Sequence, residues 1–164
     1  MIKVNLSPLL AFKSAVESMP LWHRISKIWA ARYRGFIQER FDTYSKGGGD
    51  WAPLAPSTIK ARRKGRGKGS PAILKNTGIL FAAINPTFSG QPGALQEDIP
   101  FGVRVGYGGE ARYPGASPAI ADIAAFHQAG GRHLPKREII VDPPITVTEA
   151  MAQDAERIIK NAIR

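Results

Sequence analysis

An α+β fold is predicted by three features of the chain. A long aromatic-rich amphipathic helix lies near the N-terminus and a second amphipathic helix at the C-terminus, with a Gly/Pro-rich middle of short alternating strands between them. The expected architecture is long N-terminal and C-terminal helices packed around a small antiparallel sheet with long Gly/Pro-rich loops. The 164 residues suit one domain spanning 1–164. At this size folding buries about 70% of the unfolded surface, so a core forms without staples. A 43% hydrophobic content rules against disorder throughout.

Ser7-Pro8 opens a short helix, Ser as N-cap and Pro in the first turn, with Leu9, Phe12, Val16 and Met19 at helical spacing. Pro20 ends it or starts the next. From Leu21 to Tyr44, Trp22, Ile25, Trp29, Phe36 and Ile37 form an apolar stripe widened by Tyr33, Phe41 and Tyr44. Arg24, Lys27, Arg34, Gln38 and Glu39 mostly take the other side. Gly35 costs this helix about 1 kcal/mol relative to Ala. Lys46-Gly47-Gly48-Gly49-Asp50 ends it, Gly supplying a left-handed cap. The prolines of Trp51-Ala52-Pro53-Leu54-Ala55-Pro56 forbid helix there. Ser57 or Thr58 then caps a basic helix from Ile59 to Lys64, and a mobile basic loop follows at about 60–70.

Asn76-Thr77-Gly78 precedes a short helix from Ile79 to Ile84, stopped by Asn85-Pro86. Pro86 to Phe88 and Val103 to Tyr107 read as strands, separated by a Gly/Pro-rich connection through Gln91-Pro92-Gly93. Ile120 to Gln128 is a helix ended by Gly130-Gly131, and Arg137 to Val141 a strand stopped by Asp142-Pro143-Pro144. Thr146 or Thr148 caps the last helix, Thr146 and Glu149 having capping-box spacing. Met151, Ala155, Ile158, Ile159 and Ala162 are its apolar stripe.

Charge divides the chain unevenly. Residues 1–82 hold 15 basic and 4 acidic residues, net +11, whereas residues 83–164 hold 8 and 9, net −1. The densest run contains Lys60, Arg62, Arg63, Lys64, Arg66 and Lys68 with no acid among them. Such a run stays in solvent or faces an anion, either DNA phosphate or an acidic protein surface. It lacks the interleaved aromatics that stack on single-stranded bases.

Chemistry-bearing patterns are sparse. The absence of cysteine excludes thiol catalysis, disulfides and cysteine–zinc sites. His23, His127 and His133 offer no paired helical spacing for zinc, and His127-Gln128 reads as a packed or hydrogen-bonded pair at a helix end. No serine sits in a G-x-S-x-G elbow. In Gly65-Arg66-Gly67-Lys68-Gly69-Ser70 the lysine and glycine stand in the wrong order for a phosphate loop. The acids are scattered with no catalytic pairing. No motif nominates a cofactor or a metal, and the residues leave open a nuclease that draws His, Asp and Arg from distant positions, a reading resting on His127. No apolar run approaches the roughly 20 residues of a membrane span, and the first residues lack the pattern of a secretory signal, so a soluble intracellular product is expected.

Several segments, taken in order, carry a resemblance. They are Gly49-Asp50-Trp51-Ala52-Pro53-Leu54-Ala55-Pro56-Ser57-Thr58 after the aromatic helix, Ile73-Leu74-Lys75-Asn76-Thr77-Gly78-Ile79-Leu80, and Val105-Gly106. Ala125-Phe126-His127-Gln128-Ala129-Gly130 and Leu134-Pro135-Lys136-Arg137-Glu138 follow, ahead of the terminal helix. The set resembles the virion morphogenesis (tail completion) family of tailed bacteriophages and Mu-like prophages, over residues 35–164. The chain departs from the family form in Lys136 and Glu138, which flank Arg137, and in Ala125-Phe126. The resemblance implies a non-enzymatic neck protein that completes the tail or joins it to the head, located in the virion after assembly in the host cytoplasm. It implies a homo-oligomeric ring, a hexamer favoured, around the DNA channel. Its partners would be the head–tail connector, the tail terminator or the tail tube proteins, with non-specific contact to packaged DNA and no membrane.

On this reading Lys60, Arg62, Arg63, Lys64, Arg66 and Lys68 contact DNA or an acidic partner. Trp22, Trp29, Tyr33, Phe36, Trp51, His127 and Arg137 are interface candidates, since aromatics and Arg enrich interface cores. Arms such as Gln91 to Pro100 would order on assembly. Trp51, Leu54, Thr77, Gly78, His127, Gln128, Gly130, Pro135 and Arg137 are signature positions without catalytic roles. The alternative is a stand-alone nucleic-acid-binding protein using the 60–68 run.

Overall fold

A 26-residue helix, α1 (Met19–Tyr44), runs through the computed structural model as its central rod. The structure describes residues 19–62, 71–84, 90–99, 102–113 and 118–163. The Ser7 helix, the Pro86–Phe88 strand and Arg63, Lys64, Arg66 and Lys68 of the basic run lie outside the described residues. After α1 come the short helices α2 (Pro56–Ala61) and α3 (Ile79–Ala83), then strands β1 (Ala94–Ile99) and β2 (Gly102–Tyr107). Helices α4 (Ile120–Ala129) and α5 (Ile145–Ile163) complete the order. Helices around one small antiparallel sheet make this an α+β fold.

The buried face of α1 is Leu21, Ile25, Ala30, Ile37 and Phe41, with Arg34 among them. Two apolar clusters form along it. The larger gathers Ile37 and Phe41 with Trp51, Leu80, Ile120 and Ile139. The smaller gathers Leu21 and Ile25 with Ile158 of α5. Trp22 and Trp29 meet edge to face at 5.5 Å beside this second cluster. Their indole N–H groups donate to Ile99 O (3.2 Å) and Met151 O (2.8 Å). Arg34 corrects the expected polar side of α1. It is 1% exposed, and its guanidinium donates to Gln96 Oε1 (2.5 Å) and Leu95 O (3.4 Å), so it fastens β1 to the helix.

Gly47 leaves α1 at φ 89°, which a side chain disfavours. The next helix begins earlier than expected, because Pro56 occupies its first turn and Ile59 N bonds back to Ala55 O (3.1 Å). Neither Ser57 nor Thr58 serves as its N-cap. The strand partner of β2 is β1, in register Ala94↔Tyr107 to Ile99↔Gly102. Most of Gln91–Pro100, expected as a connection that orders on assembly, is therefore an ordered strand whose main chain is satisfied by β2. Arg137–Val141 is not laddered to any described strand. Its main chain is taken up by the end of α4 through Arg137 N to His127 O (2.7 Å) and through the Gln128 amide. The capping box of the last helix is not formed. Val147 N and Thr148 N bond to Pro144 O, and the Thr148 hydroxyl donates back to Ile145 O (2.9 Å). Among the described residues no helix is long and apolar enough to cross a membrane.

Candidate functional site

Four separated segments meet where the loop after α1 crosses the extended chain after α4. Trp51 is 4% exposed and stands between Phe41 and Tyr44, with ring centroids 5.0 and 5.6 Å away and both contacts edge to face. Its Nε1 donates to Glu138 O (3.0 Å). In return, Arg137 donates from Nε to Ala52 O (3.0 Å) and from Nη2 to Pro53 O (3.3 Å). The two segments are thus cross-laced by reciprocal side-chain-to-backbone bonds. Pro53 explains the need: it keeps the loop ahead of α2 out of regular structure, so the Ala52 and Pro53 carbonyls require partners from elsewhere.

Gln128 makes the second fastening. Its Oε1 accepts from Ile139 N (2.7 Å) and Ile140 N (3.0 Å), and its Nε2 donates to Ile140 O (2.6 Å). One side-chain amide stands in for a neighbouring strand.

A cavity of about 370 Å³ opens beside this clasp. Leu54, Leu74, Ile79, Leu80 and Ile123 supply aliphatic wall, and Arg62, Asn76, Thr77, Tyr113, His127 and Arg137 supply the polar groups. Leu74 sits at φ 59°, an unusual conformation for a bulky residue and a form of strain that concentrates at functional sites. Arg62 donates to Ala72 O (2.8 Å), and the Tyr113 hydroxyl to Thr77 Oγ1 (2.6 Å). Burial lowers the pKa of His127, and the nearby positive charges of Arg137 and Arg62 lower it further, so the imidazole is held neutral. Burial also lowers the pKa of Arg137, with Arg62 adding to the effect.

These positions revise several expectations. Trp51 and Arg137 are not exposed interface residues: both are spent on bonds within the chain, and Arg137 is 5% exposed. Tyr33 donates to Val141 O (2.9 Å) and packs with Phe36 at the margin of the larger cluster. Trp22, Trp29, Tyr33 and Phe36 are half-buried rather than open. The large apolar side chains that do face solvent are Phe126 (56%), Ile145 (70%) and Ile163 (49%) among the described residues. Lys60 is exposed at the end of α2, and Arg62 turns into the cavity.

Comparison with known proteins gives no family model, no curated protein and no solved structure that matches this chain. The site therefore rests on its own geometry. Tyr113 and Asn76 were not singled out for it by the sequence, because neither lies in a charged or periodic pattern. In the sequence Asn76-Thr77-Gly78 reads as the lead-in to a short helix and as part of a resemblance segment. Among the described residues no three metal-ligating side chains cluster.

Proposed function

We propose that the chain is a structural protein of a tailed-phage neck, one that completes the tail or joins it to the head as a homo-oligomeric ring, six copies being the favoured count. The single observation that carries this reading is the clasp. The Trp51–Pro53 and Arg137-Glu138 segments, which carry the resemblance and lie far apart in sequence, fasten one another by side-chain-to-backbone bonds, and His127-Gln128 holds the same extended chain through Arg137 N and the Ile139-Ile140 backbone. Residues used this way hold a shape, as a scaffold requires, and their types follow from what each must bond. The exposed Phe126 and Ile145 are the side chains offered to neighbouring subunits or partners. The connector, terminator or tube proteins are the partners this role requires.

Electron microscopy of lysates from a phage or prophage lacking the gene, with a complemented control, tests the reading. Full heads separated from tails, or tails with abnormal ends, are expected. Normally joined particles overturn it.

The second reading, a stand-alone nucleic-acid-binding protein, is favoured by the net +11 of residues 1–82. It requires DNA affinity that falls steeply with salt. Alanine at Lys60, Arg62, Arg63, Lys64, Arg66 and Lys68 would abolish that affinity, and undiminished binding by this variant removes the reading.

A further inference from the structure

The 370 Å³ cavity beside the clasp has a lining that does not match a purely structural seam. Its charged members among the described residues are the guanidinium groups of Arg62 and Arg137, with no carboxylate between them. His127 Nδ1 is buried there with no hydrogen-bond partner. Thr77 Oγ1 accepts from Tyr113, which leaves its own proton to donate onward. Arg137 spends Nε and Nη2 on the Ala52 and Pro53 carbonyls and retains Nη1. Asn76 Oδ1 is likewise buried there without a partner and adds an amide to the lining, so the cavity gathers positive charge, donors and one amide around a volume within the ordinary range for small ligands.

The remaining wall narrows the ligand class. Leu54, Leu74, Ile79, Leu80 and Ile123 are aliphatic, so the occupant carries an apolar body beside its negative charge. A phosphate, hydrated on every side, would lose water against these side chains without replacement bonds. A carboxylate at the end of an aliphatic group satisfies both halves: its oxygens take the donors and its hydrocarbon takes the leucine and isoleucine surface.

We propose that this cavity is a binding site for a monocarboxylate borne on an aliphatic body, of the size of one C-terminal residue of a polypeptide. The carboxylate lies among Arg62, Thr77, His127 and Arg137, and the aliphatic part lies against Leu54, Ile79 and Ile123. The site stands on the cavity's chemistry and does not depend on the neck reading.

The test follows the His127 ring resonances of the full chain by NMR during titration with N-acetyl-leucine, N-acetyl-leucinamide, 4-methylpentanoate and inorganic phosphate. N-acetyl-leucine is expected to shift them saturably, and the uncharged amide to bind at least about tenfold more weakly for want of charge-assisted bonds. Equal binding of N-acetyl-leucine and 4-methylpentanoate identifies a free aliphatic acid as ligand, and a preference for the former identifies a chain terminus. Arg62→Gln should weaken binding about tenfold. Thr77→Val gives a second reading that leaves the Ala72 bond of Arg62 in place. Equal affinity for the amide, stronger binding of phosphate, or no saturable shift with either acid overturns the proposal, as does wild-type affinity in both variants.

Discussion

Gln128 and Ile140 exchange two hydrogen bonds through a single side-chain amide, which gives to the Ile140 carbonyl at 2.6 Å and takes from its N–H at 3.0 Å. A third bond, from Ile139 N at 2.7 Å, completes the set. Gln128→Ala leaves these half-buried backbone groups without their partner. A loss of about 2–3 kcal/mol is expected, from the usual net worth of a hydrogen bond and the cost of leaving buried groups unmade. Urea denaturation measures it, and a variant as stable as wild type would show that water replaces the amide.

Gly130 ends α4 at φ 70° and ψ −177°, a region open in practice to glycine alone. A Cβ there would lie 2.9 Å from Lys136 Cα and N, which are backbone atoms that cannot swing aside. Gly130→Ala is expected to cost at least about 1–3 kcal/mol from the backbone conformation. Thermal unfolding compared with Gly131→Ala, where a Cβ meets nothing within 4 Å, separates conformation and crowding from composition.

Asp154 is buried on α5 between Arg32 and Arg157, and the hydrogen bond from Arg32 is the main cause of a pKa below the ordinary 3.8. The folded value lies under the unfolded one, so this stabilisation is complete above pH of about 3.8 and drains away as pH falls through the folded value. Wild type should therefore exceed Asp154→Asn in urea midpoint at pH 6 and lose that margin progressively below pH 4. An advantage that does not change with pH would assign the role of Asp154 to packing.

The β1–β2 hairpin is too small to hold alone and depends on α1. Asp98 accepts from Ser26 Oγ at 2.6 Å and pairs with His23 Nδ1 at 2.5 Å, and the Ser26 bond is the main reason its pKa is lowered. Asp98→Ala should speed amide hydrogen exchange in Ala94–Ile99 and Gly102–Tyr107 while sparing the Ile37–Phe41 turn of α1. Uniform acceleration everywhere would mean that the hairpin opens only with the whole fold.

Hydrophobic periodicity made α1, α4 and α5 legible, because each presents an apolar face that must be covered, and alternation revealed β2. The misread parts share a cause. β1 is Ala-Leu-Gln-Glu-Asp-Ile, whose Gln96 and Asp98 answer to Arg34 and Ser26 across the fold and whose Glu97 answers to Arg104 on the paired strand, not to a pattern within β1. Arg137–Val141 has strand composition but finds a glutamine side chain in place of a strand. In the candidate site, His127 and Arg137 were visible as isolated residue types. Their convergence with Arg62, Thr77 and Tyr113 depends on loop paths that no short-range signal encodes. Arg34 shows the same limit in the core: on a helical wheel it reads as solvent-facing until a hairpin covers it.

The two clusters on α1 set its buried apolar surface at two separate stretches of one helix. The half of the rod from Ile37 onward is packed by Trp51, Ile73-Leu74, α3, α4 and Ile139, whereas the half around Leu21 and Ile25 is covered by α5, through Ile158 and the Asp154–Arg32 pair, and by β1, through Asp98 and Ile99. That end of the rod is therefore joined to the terminal helix and to the hairpin together, each covering a different face of the same turns.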